Sequence, residues 1–177
     1  MISKILLFVG IACLGLYGFV AVQAHMQQAI LEDELYHPRT PHLSTTEPLP
    51  AKNLKEGDLF GRLEIPRLDM SVMIMEGDED QTLRLGAGHI PGTKLAIAGH
   101  RDTFFRPLKD IKLSDTIRLT TPDGVSEYRV VSTKIVGPKD TFVLENASDD
   151  TLTLVTCYPF YYIGPAPKRF IVEATKE

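Results

Sequence analysis

With 177 residues, 44% of them hydrophobic and 24% charged, the chain supports one ordinary globular domain and a short appendage, and has no room for two. A formal charge of −4 gives no broad basic field to hold a phosphate backbone, so nucleic acid is excluded as an expected partner.

The first element is an apolar run, Ile5 to Val22, without a charge. It is close to the roughly 20 residues a helix needs to cross a bilayer. Lys4 and the amino terminus precede it and Glu32, Asp33 and Glu34 follow, so the positive-inside tendency puts the amino terminus in the cytosol and the rest outside. Val22-Gln23-Ala24 could pass for a signal cleavage site, but the run exceeds the usual signal core of roughly 7 to 15 residues. The expectation is a retained transmembrane helix within residues 1–24. Residues 25–56 follow as a stalk: a possible helical extension to Tyr36, then HPRTPHLSTTEPLPAKN with four prolines and no apolar periodicity.

From Gly57 to the end, short β-type runs alternate with turn residues, the pattern of an all-β barrel or sandwich. The predicted strands are 59–65, 70–75, 95–100, 116–121, 126–136, 151–157 and 168–174. Pro122-Asp123-Gly124 marks a hairpin that makes the fourth and fifth antiparallel neighbours. Brief helical turns are expected at Asp80–Leu85 and Phe104–Leu108.

Of the two cysteines, Cys13 lies in the apolar run, which leaves Cys157 without an intramolecular disulfide partner in the exported part. A solitary thiol in an oxidising compartment is either buried or used. Side-chain alternation tests where it points. In TLTLVTC, Leu152 and Leu154 claim the core and turn Thr153, Val155 and Cys157 outward. In LAIAGH, Leu95 and Ile97 point in, sending Ala96, Ala98 and His100 out; in KRFIVEA, Phe170 and Val172 point in and Arg169 out. Three strands thus each send one chemically capable side chain to the same side. Parity alone is a weak discriminator, because polar residues favour the outside anyway.

These residues carry a resemblance. TLTLVTC (151–157) resembles the sortase signature TLxTC, AIAGHRDTFF (96–105) its histidine segment, and YPFYYIGPAPKRFIVEA (158–174) the segment with its arginine. The likeness extends upstream through GRLEIPRLDMSVMIMEG (61–77) and GAGHIPGT (86–93), covering about two thirds of the chain. The CYPFYYIGPAPKRF wording, with no Asp-Pro-aromatic lid in the stalk, is most similar to class D sortases rather than the pilin-polymerising class C. Similar sequences carry a longer Gly/Pro-rich connection before the histidine strand than Lys94 and Leu95 provide here.

The resemblance implies a closed sortase-type β-barrel over 57–177. It also implies a cysteine transpeptidase that cleaves an LPxTG-like sorting signal between Thr and Gly and passes the acyl group to an amine of the cell envelope. The implied catalytic residues are Cys157 as nucleophile, His100 as proton-transfer group and Arg169 as carbonyl stabiliser. Implied partners are secreted proteins bearing the sorting signal, the amine acceptor, and the bacterial cytoplasmic membrane through the N-terminal helix. No cofactor is expected.

Alternative readings fit less well. An L,D-transpeptidase would want a Ser-His-Gly-Cys cluster, and a papain-like enzyme a cysteine at a helix start with its histidine downstream. A membrane-tethered β-barrel binding module with an inert cysteine is the non-enzymatic alternative. A metal site from His89, His100 and Cys157 lacks zinc-type spacing, and Glu76, Asp78, Glu79 and Asp80 read as a solvated loop in preference to a calcium site. The aromatic run Tyr158 to Tyr162 reads from its residues as a packed surface loop, and the sortase resemblance implies that it also joins the cysteine and arginine strands and walls the groove.

Overall fold

The computed structural model describes residues 54–140, 148 and 150–177, with a few helical positions between 15 and 26. Most of the expected span over 5–22 and most of the stalk lie outside the described residues, among which no helix is long and apolar enough to cross a membrane. At the end of the expected stalk, Glu56 accepts a 2.6 Å hydrogen bond from the Thr82 hydroxyl, and Gly57 N–H donates to Glu76 O at 2.8 Å.

Eight strands close into a barrel: β1 (Leu59–Ile65), β2 (Met70–Glu76), β3 (Ala87–His89), β4 (Ala96–Gly99), β5 (Thr116–Thr121), β6 (Gly124–Val136), β7 (Thr151–Tyr158) and β8 (Lys168–Lys176). Their order around the wall is β1-β2-β3-β4-β7-β8-β6-β5, and β5 returns to pair with β1. All pairs are antiparallel except β2–β3 and β4–β7. The all-β reading and each predicted strand hold, with ends displaced by two residues at most. The expected Pro-Asp-Gly hairpin pairs Thr121 with Gly124.

Alternation explains which faces are buried. Leu63, Ile65, Val72, Ile74, Ile97, Leu152, Leu154 and Val172 meet inside the barrel, each at 2% exposure or less. β2 is apolar on both faces for a separate reason: outside the wall Met73 and Met75 pack with Leu59 and Leu85, the last from the short helix Asp80–Leu85. That helix carries the chain across the parallel β2–β3 pair.

β3 was absent from the predicted strands. Its three residues, Ala-Gly-His, are too few and too poor in β-branched side chains to signal a strand. Gly88 is required there, since a Cβ would stand 2.0 Å from Gly77 O. The helical turn expected at 104–108 forms later, as a 3₁₀ turn at Arg106–Asp110, because Pro107 suits a first turn, where its missing N–H costs nothing.

The short connection through Lys94 and Leu95 closes as a compact hairpin. Ile90 N–H donates to Ala96 O at 2.8 Å, and the Thr93 hydroxyl bonds both Ile90 O and Ala96 N–H. Thus β4 starts in register although the connection is short.

One polar cross-link ties the β1–β2 connection to the start of β5. Arg67 donates through Nε and Nη2 to the Asp115 carboxylate, which also accepts from Lys112 N–H at 2.8 Å. Bonding to Arg67, then to the Lys112 backbone, holds the Asp115 carboxyl below the usual carboxylate range, against burial, which acts the other way. A depressed folded value stabilises the fold above the unfolded carboxylate value of about 3.9, and this is lost as pH falls through the lower folded one. Asp115→Asn should therefore melt below wild type at pH 7, with the gap narrowing in melts taken at successively lower pH below about 4. A gap that persists undiminished to strongly acid pH would refute the role of that carboxylate.

Candidate active site

The site is fixed by strand register. β7 is paired on both edges: Cys157 stands directly opposite Arg169 on β8, and Thr156 is in register with Gly99 on β4. His100 is the next residue after Gly99, so the same register carries it alongside Cys157. On the far side of β8, Arg169 is opposite Val136. With neighbouring strands about 4.8 Å apart, these pairings set Val136, Arg169, Cys157 and His100 in a row across the wall.

The row lies in a groove of about 410 Å³. It is lined by Ala98, Val155 and Ile171 from the wall strands around Cys157, by Val136, Gly137, Pro138 and Asp140 beyond Arg169, and by Asp78, Leu83 and Ile90. Parity thus separates the two faces of the wall as expected. It does not separate protein from water: Ala96 and Thr153, on the same outward parity, are 2% and 1% exposed. The outer wall is itself covered at those points.

Each of the three candidate side chains keeps some freedom. Cys157 is partly buried and unpaired. His100 Nε2 is 3.6 Å from Asp80 Oδ1, an ion-pair separation when the ring is protonated but too long for a hydrogen bond. Asp80 is held in turn by Arg84 at 2.5 Å. Arg169 donates to neighbouring carbonyls through Nη1, to Lys168 O at 3.1 Å and, at a longer 3.4 Å, to Ala166 O, so its fork is only partly engaged by the backbone.

Local packing places the histidine. Gly99 lies flat against Phe105, whose ring is fully buried, and the Thr156 hydroxyl donates to Gly99 O at 2.7 Å. The His100 carbonyl accepts from Phe105 N–H at 3.1 Å. Sequence reading missed Thr156, although parity carried the signal: a hydroxyl on the inward side of β7, between leucine positions and the barrel end, needs a buried acceptor. It missed Arg101 too, which is 6% exposed and bonds the carbonyls of Pro159, Tyr162 and Gly164. A charged residue just past a strand gives no local signal of burial.

The aromatic run is a packed loop, as its residues suggest, and only its implied role as a groove wall is corrected. It does join β7 to β8, but it does not line the groove. Phe160 packs into the core with Tyr158 and Phe170 beside it, whereas Tyr161 and Ile163 are 73% and 101% exposed. The flank it was expected to form is supplied by the end of β6. His89 is also elsewhere: it is buried against Glu76 at 2.7 Å and stacked on Phe60. Among the described residues no three His, Cys, Asp or Glu side chains converge to hold a metal ion.

A Cβ on Gly99 would stand 2.6 Å from Cγ of Phe105, a ring with no exposed side to retreat to. Gly99→Ala is expected to cost about 1–3 kcal/mol as overpacking. It should lower the urea midpoint at constant slope; an unchanged midpoint would mean that the Phe105 ring yields freely.

Residues 63–177 match the sortase domain family. Sortase D of Bacillus subtilis is 37% identical over 124 residues, 66% of this chain and 63% of that protein. Sortase A of Listeria monocytogenes is 28% identical over 117 residues, 60% of this chain and 53% of that protein. The matches therefore span less than two thirds of the length of these relatives. Among solved structures, a Clostridium perfringens sortase D5 transpeptidase superposes with a TM-score of 0.63 at 28% identity, covering 71% of this chain and 83% of that one. The chain belongs to the sortase family.

Proposed function

We propose that this sortase-family chain is a cysteine transpeptidase of the class D type, which cleaves an LPxTG-like sorting signal between Thr and Gly and transfers the Thr carbonyl to an amine of the cell envelope. The observation that carries the reading is the row itself: Cys157 opposite Arg169, with His100 beside it, along one groove. Likeness to a sortase D and to a sortase D5 transpeptidase supports the class.

In this reading the Cys157 Sγ, as thiolate, attacks the Thr carbonyl carbon. Arg169 faces the oxygen on which negative charge develops, where a planar cation with spare N–H donors stabilises the tetrahedral state more than the ground state. The C–N bond to Gly breaks, and His100, as imidazolium, gives the departing amine its proton. A thioester remains. The incoming amine then attacks it, loses a proton to His100, and returns Cys157 as thiolate. His100 thus acts as acid in the first half and base in the second, and no net proton is consumed.

Cys157→Ala should abolish cleavage of a quenched sorting-signal peptide and formation of the thioester adduct. His100→Ala should lose about 10²- to 10⁴-fold in rate, the usual range for a proton-transfer group. Arg169→Lys keeps the charge but not the fork and should lose on the order of 10²-fold. Wild-type turnover by Cys157→Ala, or an Arg169→Lys enzyme equal to wild type from pH 5 to 9, would refute these roles.

The same proposal places residues 1–24 as a retained anchor, 25–56 as the stalk and 57–177 as the catalytic domain on the outer side of the cytoplasmic membrane. The substrates would be secreted proteins that this membrane presents by their own C-terminal signals. The intact mass of membrane-extracted protein should include residues 1–24. A mature amino terminus at His25 would show a cleaved signal instead.

A further inference from the structure

The turn after His100 and the loop after Cys157 are tied together by a single buried cation. Arg101 Nη1 donates to Pro159 O at 2.9 Å, and Nη2 to Tyr162 O at 2.7 Å and Gly164 O at 3.3 Å. Nε donates to Asp102 Oδ2 at 3.3 Å, and the guanidinium lies 5.7 Å from the Tyr162 ring centre. Four hydrogen bonds occupy most of the five donors the group carries. The charge is thus removed from water but satisfied almost wholly by loop carbonyls, so the loop cannot leave without stranding a buried cation.

The placement of this link sets it apart from an ordinary structural arginine. On the near side of the candidate pair, Thr156 bonds Gly99 O, joining the residues just before Cys157 and His100. On the far side, Arg101 bonds Pro159 O, joining the residue after His100 to the second residue after Cys157. The two side chains are bracketed fore and aft. The far bracket reaches further, because residues 158–167 lead straight into β8, where Tyr158 pairs with Lys168 and Cys157 with Arg169. The loop itself is absent from the groove lining, so the link acts on the relative placement of the three side chains and not on the groove's walls.

We propose that Arg101 is a positioning residue, which clamps the His100 turn to the β7–β8 loop and thereby holds His100 in line with Cys157 and Arg169. The inference rests on the transpeptidase reading for its kinetic consequence, but not for the clamp. A lysine at this position would keep the charge and present one point donor, and could not span carbonyls that two different nitrogens now serve.

The test uses the full chain in detergent, with Arg101→Lys and Arg101→Ala as variants. Chymotrypsin reports on the loop, because Tyr161 and Tyr162 are exposed cleavage sites on it. Arg101→Lys should still melt cooperatively, yet be nicked after Tyr161 or Tyr162 about tenfold faster than wild type, because local opening is easier. With the sorting-signal peptide, kcat per folded molecule should fall on the order of 10- to 100-fold, the cost of small misplacements of reacting groups. KM should change little, since the groove lining is intact. Arg101→Ala should show the same pattern more strongly.

A purely structural arginine would lower activity only in proportion to the folded fraction. Loop cleavage at the wild-type rate in Arg101→Lys, or an unchanged kcat per folded molecule, would overturn the proposal, as would a loss confined to KM. Should the wild-type chain itself fail to release peptide, the transpeptidase reading falls, and the clamp is then decided by loop protection alone.

Discussion

The double pairing of β7 is the constraint on which the site depends. An edge strand could slip by one residue, and a slip of one reverses every side chain between core and surface. Here β7 is bonded to β4 on one edge and to β8 on the other, and Leu152 and Leu154 are fully buried beneath it. A shift of one residue would turn Thr153 and Val155 into the barrel and move the two leucines out of it. Barrel closure extends the argument, since β8 is held in turn by β6, and β6 by β5. The position of one sulfur is thereby tied to the packing of the whole barrel.

This coupling also explains how far the sequence could be read. Alternation in β4, β7 and β8 was enough to put His100, Cys157 and Arg169 on one face, because those strands have strong inward residues: Ile97, Leu152, Leu154 and Val172. It could not show that β4 and β7 are neighbours, which follows from a parallel pairing across a long insertion that contains β5 and β6. That adjacency appears only in the fold. β3 left no pattern, since its role is a close backbone crossing that selects glycine, and glycine weakens every strand signal. The aromatic run misled for the opposite reason. Four aromatics in five residues suggest a wall, yet Tyr158 and Phe160 are spent on the core, and Tyr161 and Tyr162 are exposed and outside the groove lining.

Two arginines show why residue type alone does not reveal role. Arg101 and Arg169 both follow or lie in strand ends beside the candidate nucleophile, and both face backbone carbonyls. Arg101 has strong bonds to residues roughly 60 positions away and almost no contact with solvent. Its donors are committed, and it fixes one piece of backbone to another. Arg169 reaches only its own near neighbours, Lys168 O at 3.1 Å and Ala166 O at 3.4 Å, both through Nη1. Its charge is held in place by β8 and its donors remain available to the groove.

That division has an energetic logic. A cation stabilises a developing oxyanion only with donors not already satisfied in the ground state, since whatever the protein has saturated cannot strengthen further as the reaction proceeds. A cation used as a fastening needs the reverse, full satisfaction, because a buried charge with missing partners would destabilise the turn it is meant to fix. One residue could not meet both demands. In the proposed reading the barrel meets them with two, on either side of Cys157: Arg169 held by strand register with donors to spare, and Arg101 with most of its donors taken by the β7–β8 loop and Asp102. On that reading the groove carries an incompletely satisfied cation on backbone that strand register and the Arg101 clamp together hold rigid.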